Sequence, residues 1–482
     1  MNLASLVRRH ARGRPSRAAI EYRGERLTYA DAWRAIAGGA ALLAGQGVRP
    51  GDRVGLSLRE HPAHVLLHYA AAALGAVVVP IDHRWSAAEK AAAVATFAPS
   101  LVLVDSDAAE LDGSACVRTG EWLAPGGDES ALAAGDDAAL VLSMSSGTTG
   151  RPKAAVVTHA QMYERFITQW VTLGYNAGDR FVLVTPLFFG AGRSFAMSFL
   201  AAGATLVVDP PPHGSDELAG AVRDSGATAT FLVPTLMRRL LELPADGVLF
   251  PGLRRLLISG EAFHPGEVAP FQQRLSPNLI GYYASSEGGG ISVLQPQDFD
   301  AHGGTVGQAA FGVEIEIVDN RGRALPAGET GRLRYRGPGV TTALLGEDGQ
   351  PEAGDPDGWF YPGDLAAVDA DGFVSLRGRQ KDVIIRGGVN VYPAEVEQVL
   401  MQHPAVGEAA VVGIADGRRG EQVVAFVVAD EAVDDAGLLA HCRANLAPYK
   451  VPACLRRLAA LPRAASGKVD KKALPALREA AP

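Results

Sequence analysis

From Thr28 to Ile258 the chain alternates helix-length segments with short apolar, β-branched runs, and this alternation restricts the fold more than any other feature. Residues 28–46 carry helical spacing behind Thr28, a capping residue with Asp31 three positions on. A strand-like run at 53–58 follows, then helical 62–74, strand-like 75–81, helical 86–97 and strand-like 101–104. Similar runs recur at 181–184, 205–208, 230–233 and 255–258. Short apolar runs suit strands covered on both faces, so the pattern predicts parallel sheets layered with helices.

Beyond residue 310 the texture changes. Segments 313–318, 331–336 and 373–377 alternate apolar with polar residues between Gly/Asp/Pro turns. They predict a smaller, barrel-like antiparallel sheet. Residues 345–358 predict a polar surface loop. After residue 380 a helix at 394–402, strands at 408–413 and 423–428 and a helix at 435–446 predict a small α+β unit. The expected organisation is a large α/β domain at 1–380 and a small domain at 381–482, divided at Lys381.

Composition excludes several classes. With 482 residues, 48% hydrophobic and 20% charged, the chain has material for a packed core. A net charge of −8 argues against nucleic acid as a partner. One stretch, Cys442 to Lys472, holds eight Lys/Arg and one Asp, which suits either a phosphate-bearing ligand or a solvated face. Three distant cysteines, Cys116, Cys442 and Cys454, form neither a disulfide framework nor a zinc site. The first twenty residues show no apolar leader, and the longest apolar run, Tyr69 to Ile81, is interrupted by Gly75 and Pro80. A cytoplasmic protein without a membrane span is expected. His61, His64 and His68 share one helical face without a carboxylate partner, so a solvated face is expected there, not a metal site.

The most informative segment is Ser143–Ala160, SMSSGTTGRPKAAVVTHA, entered from a strand-like run at 138–144. Glycines let the backbone approach a ligand, and successive N–H groups then form an anion nest. Hydroxyls at Ser145, Ser146, Thr148 and Thr149 and the Lys153 cation add donors for a polyphosphate. No Gly-Lys pair precedes Ser/Thr, so this is not a Walker loop. Alone, the cluster also fits a flexible turn. Four further motifs follow in order: GYYASSE at 281–287, YPGD at 361–364, GRQKDVIIRGGVNVYPAEVE at 378–397 and PRAASGK at 462–468. Together the five resemble the signatures of the adenylate-forming superfamily, which includes acyl-CoA synthetases, adenylation domains and luciferases.

The resemblance implies ATP-dependent activation of a carboxylic acid through acyl-AMP, with Mg²⁺. It implies that Ser145, Ser146, Gly147, Thr148, Thr149 and Gly150 hold the β- and γ-phosphates with Lys153. Ser286 would contact the α-phosphate and Glu287 would hold Mg²⁺. Gly260, Glu261, Ala262, Tyr282 and Tyr283 would line the adenine position, with Asp364 and Arg379 at the ribose. Lys468 would be the catalytic cation and Lys381 the hinge. Arg386-Gly387-Gly388 before Asn390-Val391-Tyr392-Pro393 resembles the CoA-ligase branch, placing Gly388 beside the CoA tunnel. A carrier-protein thiol stays open as the alternative acceptor, as does a homodimer. Departures such as Ser286 for Thr and Pro362 for Thr leave the charges at the reaction centre intact.

The acyl pocket is expected from Phe188, Phe189, Gly190, Arg193, Val233 and Gly288. No acid lies between Phe181 and Val208 to hold a substrate amine. Phe195, Met197 and Gly288-Gly289-Gly290 suggest a roomy apolar cavity, against the alternative that these aromatics are core. The substrate is expected to be an apolar acid that is bulky, aromatic or alicyclic. Arg193 either meets a second carboxylate on the acid or braces a loop.

Overall fold

Apolar runs of four or five residues become strands where helices cover both faces. The computed structural model describes residues 1–105, 116–119, 135–146, 152–210, 214–244, 247–260, 265–346, 348–352, 354–386, 389–416, 420–430, 433–463 and 469–477. Among these, nine strands form one sheet. At its centre Leu279–Ser285, Arg255–Ile258, Ala229–Leu232, Arg180–Leu183, Thr205–Val208 and Ala18–Tyr22 are adjacent and parallel. A second sheet has eight strands, with Ala139–Ser146, Val77–Pro80, Arg53–Ser57 and Leu101–Asp105 parallel at its core. The chain is thus an α/β protein, as the alternation predicts.

The helices Tyr29–Gly45 and Pro62–Leu74 pack together so closely that a Cβ on Gly39 would lie 2.9 Å from the Cβ of Ala70. The first begins with a reciprocal cap: Thr28 Oγ1 accepts from the Asp31 N–H at 3.2 Å, and Asp31 Oδ2 accepts from the Thr28 N–H at 2.9 Å. The second is buried on nearly every side, which overturns the solvated histidine face. His64 and His68 are 0% and 2% exposed, because a helix apolar all round belongs inside a core. Each uses its Nδ1 N–H on a carbonyl, of Arg59 (3.2 Å) and His64 (2.9 Å), and leaves Nε2 without a partner. His61 instead caps the helix, accepting from the Ala63 N–H.

A four-stranded antiparallel sheet follows: Glu314–Val318, Gly331–Arg336, Asp364–Val368 and Val374–Arg379. The expected loop at 345–358 is in part a hairpin. Leu344–Leu345 pairs with Pro351–Glu352 and with Pro152–Thr158, extending the eight-stranded sheet. Leu345 is buried there, which explains why this polar stretch is anchored.

The C-terminal part is a small α+β unit. Its long hairpin, Val406–Asp416 with Gly420–Ala429, packs the helices Pro393–Met401 and Asp435–Asn445 around its own core. Much of the basic tail is neutralised here: Lys450 pairs with Glu395, Arg457 with Asp435, Arg463 with Glu408 and Lys471 with Glu397. No helix among the described residues is long and apolar enough to cross a membrane.

Candidate active site

Parallel strands point their carboxyl ends the same way, and a ligand crevice forms beyond those ends. Several expected residues converge there. Val233 directly follows Ala229–Leu232, and Leu187–Gly190 lies beyond Arg180–Leu183. Gly260, two residues past Arg255–Ile258, has φ +97°, and a Cβ on it would lie 3.6 Å from Val233 Cγ1. The strand Leu279–Ser285 turns at 286–288 into its antiparallel partner Gly289–Leu294.

Strand alternation separates the two adjacent tyrosines. Tyr283 donates its OH to Asp364 Oδ2 at 2.5 Å. Burial first, then the Asp364 charge, pushes its phenol well above the usual range, so it stays a donor. Tyr282 faces the other way, beside Phe195 (ring centroids 5.4 Å) and Gln169, and burial pushes it up to about 12. Of the two tyrosines expected at the adenine position, only Tyr283 meets Asp364.

Asp364 is 8% exposed and opens the strand Asp364–Val368, whose register sets it opposite Arg379. Arg379 Nε donates to Asp364 Oδ1 at 3.0 Å. Next in the chain, the Gln380 N–H donates to the Gly363 carbonyl at 2.9 Å, and exposed Lys381 follows in the short 3₁₀ turn Gln380–Asp382.

The turn carrying Ser286 and Glu287 is fastened on several sides. The Gly288 N–H donates to Ser285 Oγ at 2.9 Å, and Ser285 Oγ shares a hydrogen bond with the Tyr335 OH. The Glu287 carbonyl accepts from the Thr341 N–H at 3.1 Å, while Thr341 Oγ1 donates to the Val156 carbonyl at 2.8 Å. The turn is thereby tied to the strand Pro152–Thr158, whose register pairs Lys153 with Ser145 and Pro152 with Ser146. Among the described residues the half-buried Glu287 carboxylate makes no hydrogen bond or ion pair, and no group of three or more His/Cys/Asp/Glu forms a metal cage. One unspent carboxylate suits Mg²⁺, which takes few protein ligands and completes its shell with water and phosphate oxygens.

The acyl side differs from expectation. Gly288 and Gly290 open no cavity, because a Cβ on Gly288 would lie 2.6 Å from the Tyr335 OH, and one on Gly290 would lie 2.8 Å from Tyr282 Cζ. Tyrosine rings fill the space that the glycines vacate, so Gly288 contributes backbone and not pocket volume. Phe195 and Met197 are core, at 0% and 2% exposure. Phe188 and Phe189 are half-buried with ring centroids 4.4 Å apart, and the Arg84 guanidinium lies 4.8 Å over the Phe188 ring. Arg193, at the start of the helix Gly190–Ala201, is 4% exposed and braces the loop: its Nη1 donates to the Phe188 carbonyl at 3.1 Å. Burial lowers it to about 10. Glu60 Oε1 accepts from the Leu187 N–H at 3.3 Å and fixes the loop from the other side.

Residues Gly147, Thr148, Thr149, Gly150, Glu261, Ala262, Gly388 and Lys468 lie outside the described residues, as do the side chains of Ser145, Ser146 and Lys153. The residue that sequence reasoning missed is Arg165, on the helix His159–Leu173. It falls on the buried stripe Met162, Phe166, Gln169 and Leu173, and a cation on such a stripe is the signal that could have found it.

Comparison with known proteins follows the same lines. The family described as AMP-binding enzyme matches residues 7–345, and the AMP-binding enzyme C-terminal domain matches residues 395–468. The chain is 33% identical to a feruloyl-CoA synthase from Amycolatopsis sp, over 97% of each sequence. It is 30% identical to a 2-succinylbenzoate–CoA ligase from Bacillus pumilus, over 95% of each. It superposes on the o-succinylbenzoate CoA synthetase of Bacillus subtilis in complex with ATP and magnesium ion, with a TM-score of 0.87, 28% identity, and 98% and 99% of the two chains covered.

Proposed function

The chain belongs to the AMP-binding enzyme family, and from that premise we propose that it is an AMP-forming acyl-CoA synthetase acting on an apolar, aromatic carboxylic acid. In the first step a carboxylate oxygen of the acid attacks the α-phosphorus of ATP, and the bond to pyrophosphate breaks. In the second the CoA thiol, losing its proton, attacks the acyl carbon and expels AMP. The observation that carries this reading is the hydrogen-bonded chain from Arg379 through Asp364 to Tyr283, on the strand that leads into the turn bearing Ser286 and Glu287.

Each part has a physical task. Asp364 is a carboxylate acceptor with lone pairs left over after its two side-chain donors among the described residues, which suits a ribose diol. Bound Mg²⁺ would neutralise phosphate charge, and Glu287 would hold it. Ser286 would donate to the α-phosphate. Ser145–Gly150 and Lys153 would take the β- and γ-phosphates, beside the strand that Thr341 ties to Glu287. Lys468 would bridge the carboxylate and the α-phosphate, where two anions must approach each other. Lys381 would be the hinge on which residues 381–482 reorient between the steps, with Gly388 at the thiol's path.

Phe188 and Phe189 offer rings to an aromatic acid, in keeping with the feruloyl and succinylbenzoate acids named for the relatives. The test is pyrophosphate release across a panel of aromatic and aliphatic acids, with CoA, with a holo-carrier protein, and with neither. CoA-dependent AMP formation with an aromatic acid is expected. Release with no acid in the panel, or acyl transfer to the carrier protein alone, would overturn the assignment.

A further inference from the structure

A cation inside a protein costs several kcal/mol unless a counter-charge or an equivalent set of acceptors meets it. Arg165 is buried and forms no ion pair among the described residues. All three of its nitrogens are spent on backbone carbonyls. Nε donates to Gly339 at 2.8 Å, Nη1 to Ser286 at 3.3 Å and Nη2 to Glu287. Packing alone would be served by Met or Leu.

The two hairpin contacts have a geometric consequence. A trans peptide points its N–H opposite its C=O. Holding the carbonyls of Ser286 and Glu287 therefore turns the N–H groups of Glu287 and Gly288 away from the guanidinium. Ser285 Oγ takes the Gly288 N–H, whereas the Glu287 N–H has no acceptor among the described residues. A cation on the carbonyl side also polarises the amide and strengthens its N–H as a donor.

We propose that Arg165 is a positioning residue for adenylation: it locks and polarises the turn so that Glu287 presents its carboxylate and its amide N–H together to the nucleotide and Mg²⁺. This rests on the assignment of Glu287 as the Mg²⁺ ligand. The Tyr335 ring and Thr341 close the turn from its other sides, so Arg165 supplies the only charge in the clamp among the described residues.

The experiment uses the full chain with Arg165→Met, Arg165→Lys and Glu287→Gln. Mn²⁺ binding in the presence of a non-hydrolysable ATP analogue is titrated by electron paramagnetic resonance. Pyrophosphate release is measured against Mg²⁺, ATP and acid, and circular dichroism melting checks the fold. R165M is expected to weaken Mn²⁺ by roughly 10- to 100-fold, the range seen when residues supporting a metal ligand are removed. Its kcat should fall while KM for the acid stays within about twofold, and R165K should restore part of the loss. If E287Q leaves Mn²⁺ binding intact, the Glu287 assignment fails and takes this proposal with it. If E287Q weakens Mn²⁺ but folded R165M does not, the role of Arg165 alone is overturned. Should R165M not fold, a folded Arg165→Gln protein, which lacks the charge, with wild-type Mn²⁺ affinity and kcat overturns it equally.

Discussion

Replacing Gly288 by Ala tests the packing behind the catalytic turn. The new Cβ would lie 2.6 Å from the Tyr335 OH and 2.8 Å from its Cζ, well inside contact distance. Neither side can yield easily. Tyr335 is fully buried, and its backbone exchanges hydrogen bonds with Phe360 in both directions, at 3.0 and 2.8 Å. Gly288 is held by Ser285, and Glu287 by Thr341 and Arg165. Overpacking of this kind costs about 1–3 kcal/mol. Loss of the Ser285–Tyr335 hydrogen bond adds about 1 kcal/mol, for roughly 2–4 kcal/mol in all. At about 2 °C per kcal/mol for a large domain, the melting temperature should fall by about 4–8 °C. Differential scanning fluorimetry reads the stability and pyrophosphate release reads the chemistry. In a Tyr335→Leu background the clash is gone, so the same substitution should cost less than about 1 kcal/mol there. A Gly288→Ala protein that melts within 1 °C of wild type (about 0.5 kcal/mol) and keeps its kcat would refute the claim that Tyr335 occupies this space.

Asp364→Asn removes a charge-assisted acceptor worth about 1.5–3 kcal/mol, so KM for ATP should rise roughly 10- to 100-fold with KM for the acid little changed. Steady-state kinetics in both substrates checks this. Lys468→Ala should cut pyrophosphate release by about 10²-fold or more while calorimetry shows ATP binding nearly intact; unchanged release would remove Lys468 from the chemistry. Burial holds His64 down to about 3 and His68 well below its ordinary value, with the Arg193 charge adding to both. The unfolded chain therefore binds the protons first, and stability falls as pH drops below about 6.5, by about 1.4 kcal/mol per pH unit per histidine. Urea midpoints of His64→Gln should follow a shallower acid limb than wild type by about that amount, and parallel limbs would contradict the buried, neutral state.

Local signals made much of the architecture legible. Pro62 and Gly75 bracket the helix Pro62–Leu74, and the short apolar runs at 205–208 and 255–258 are strands at those bounds. Long-range packing was not legible. His64 and His68 read as one polar face, but their fate depends on the helix Tyr29–Gly45 against which theirs packs. The glycines at 288–290 looked like empty space, and only the fold shows that Tyr335 and Tyr282 occupy it. The pairing of Asp364 with Arg379 depends on sheet register, and the motifs alone name the residues without placing them in contact. Arg165 escaped because its partners are carbonyl oxygens, which every residue has and no sequence pattern marks.

The bond from Gln380 back to Gly363 and the reach of Arg379 to Asp364 also bear on engineering. A graft that exchanges the C-terminal segment with that of a relative should be joined after Gln380. A seam even two residues earlier would import a foreign arginine environment into the nucleotide end of the molecule, and nucleotide affinity would then change in the hybrid although its acid pocket is untouched.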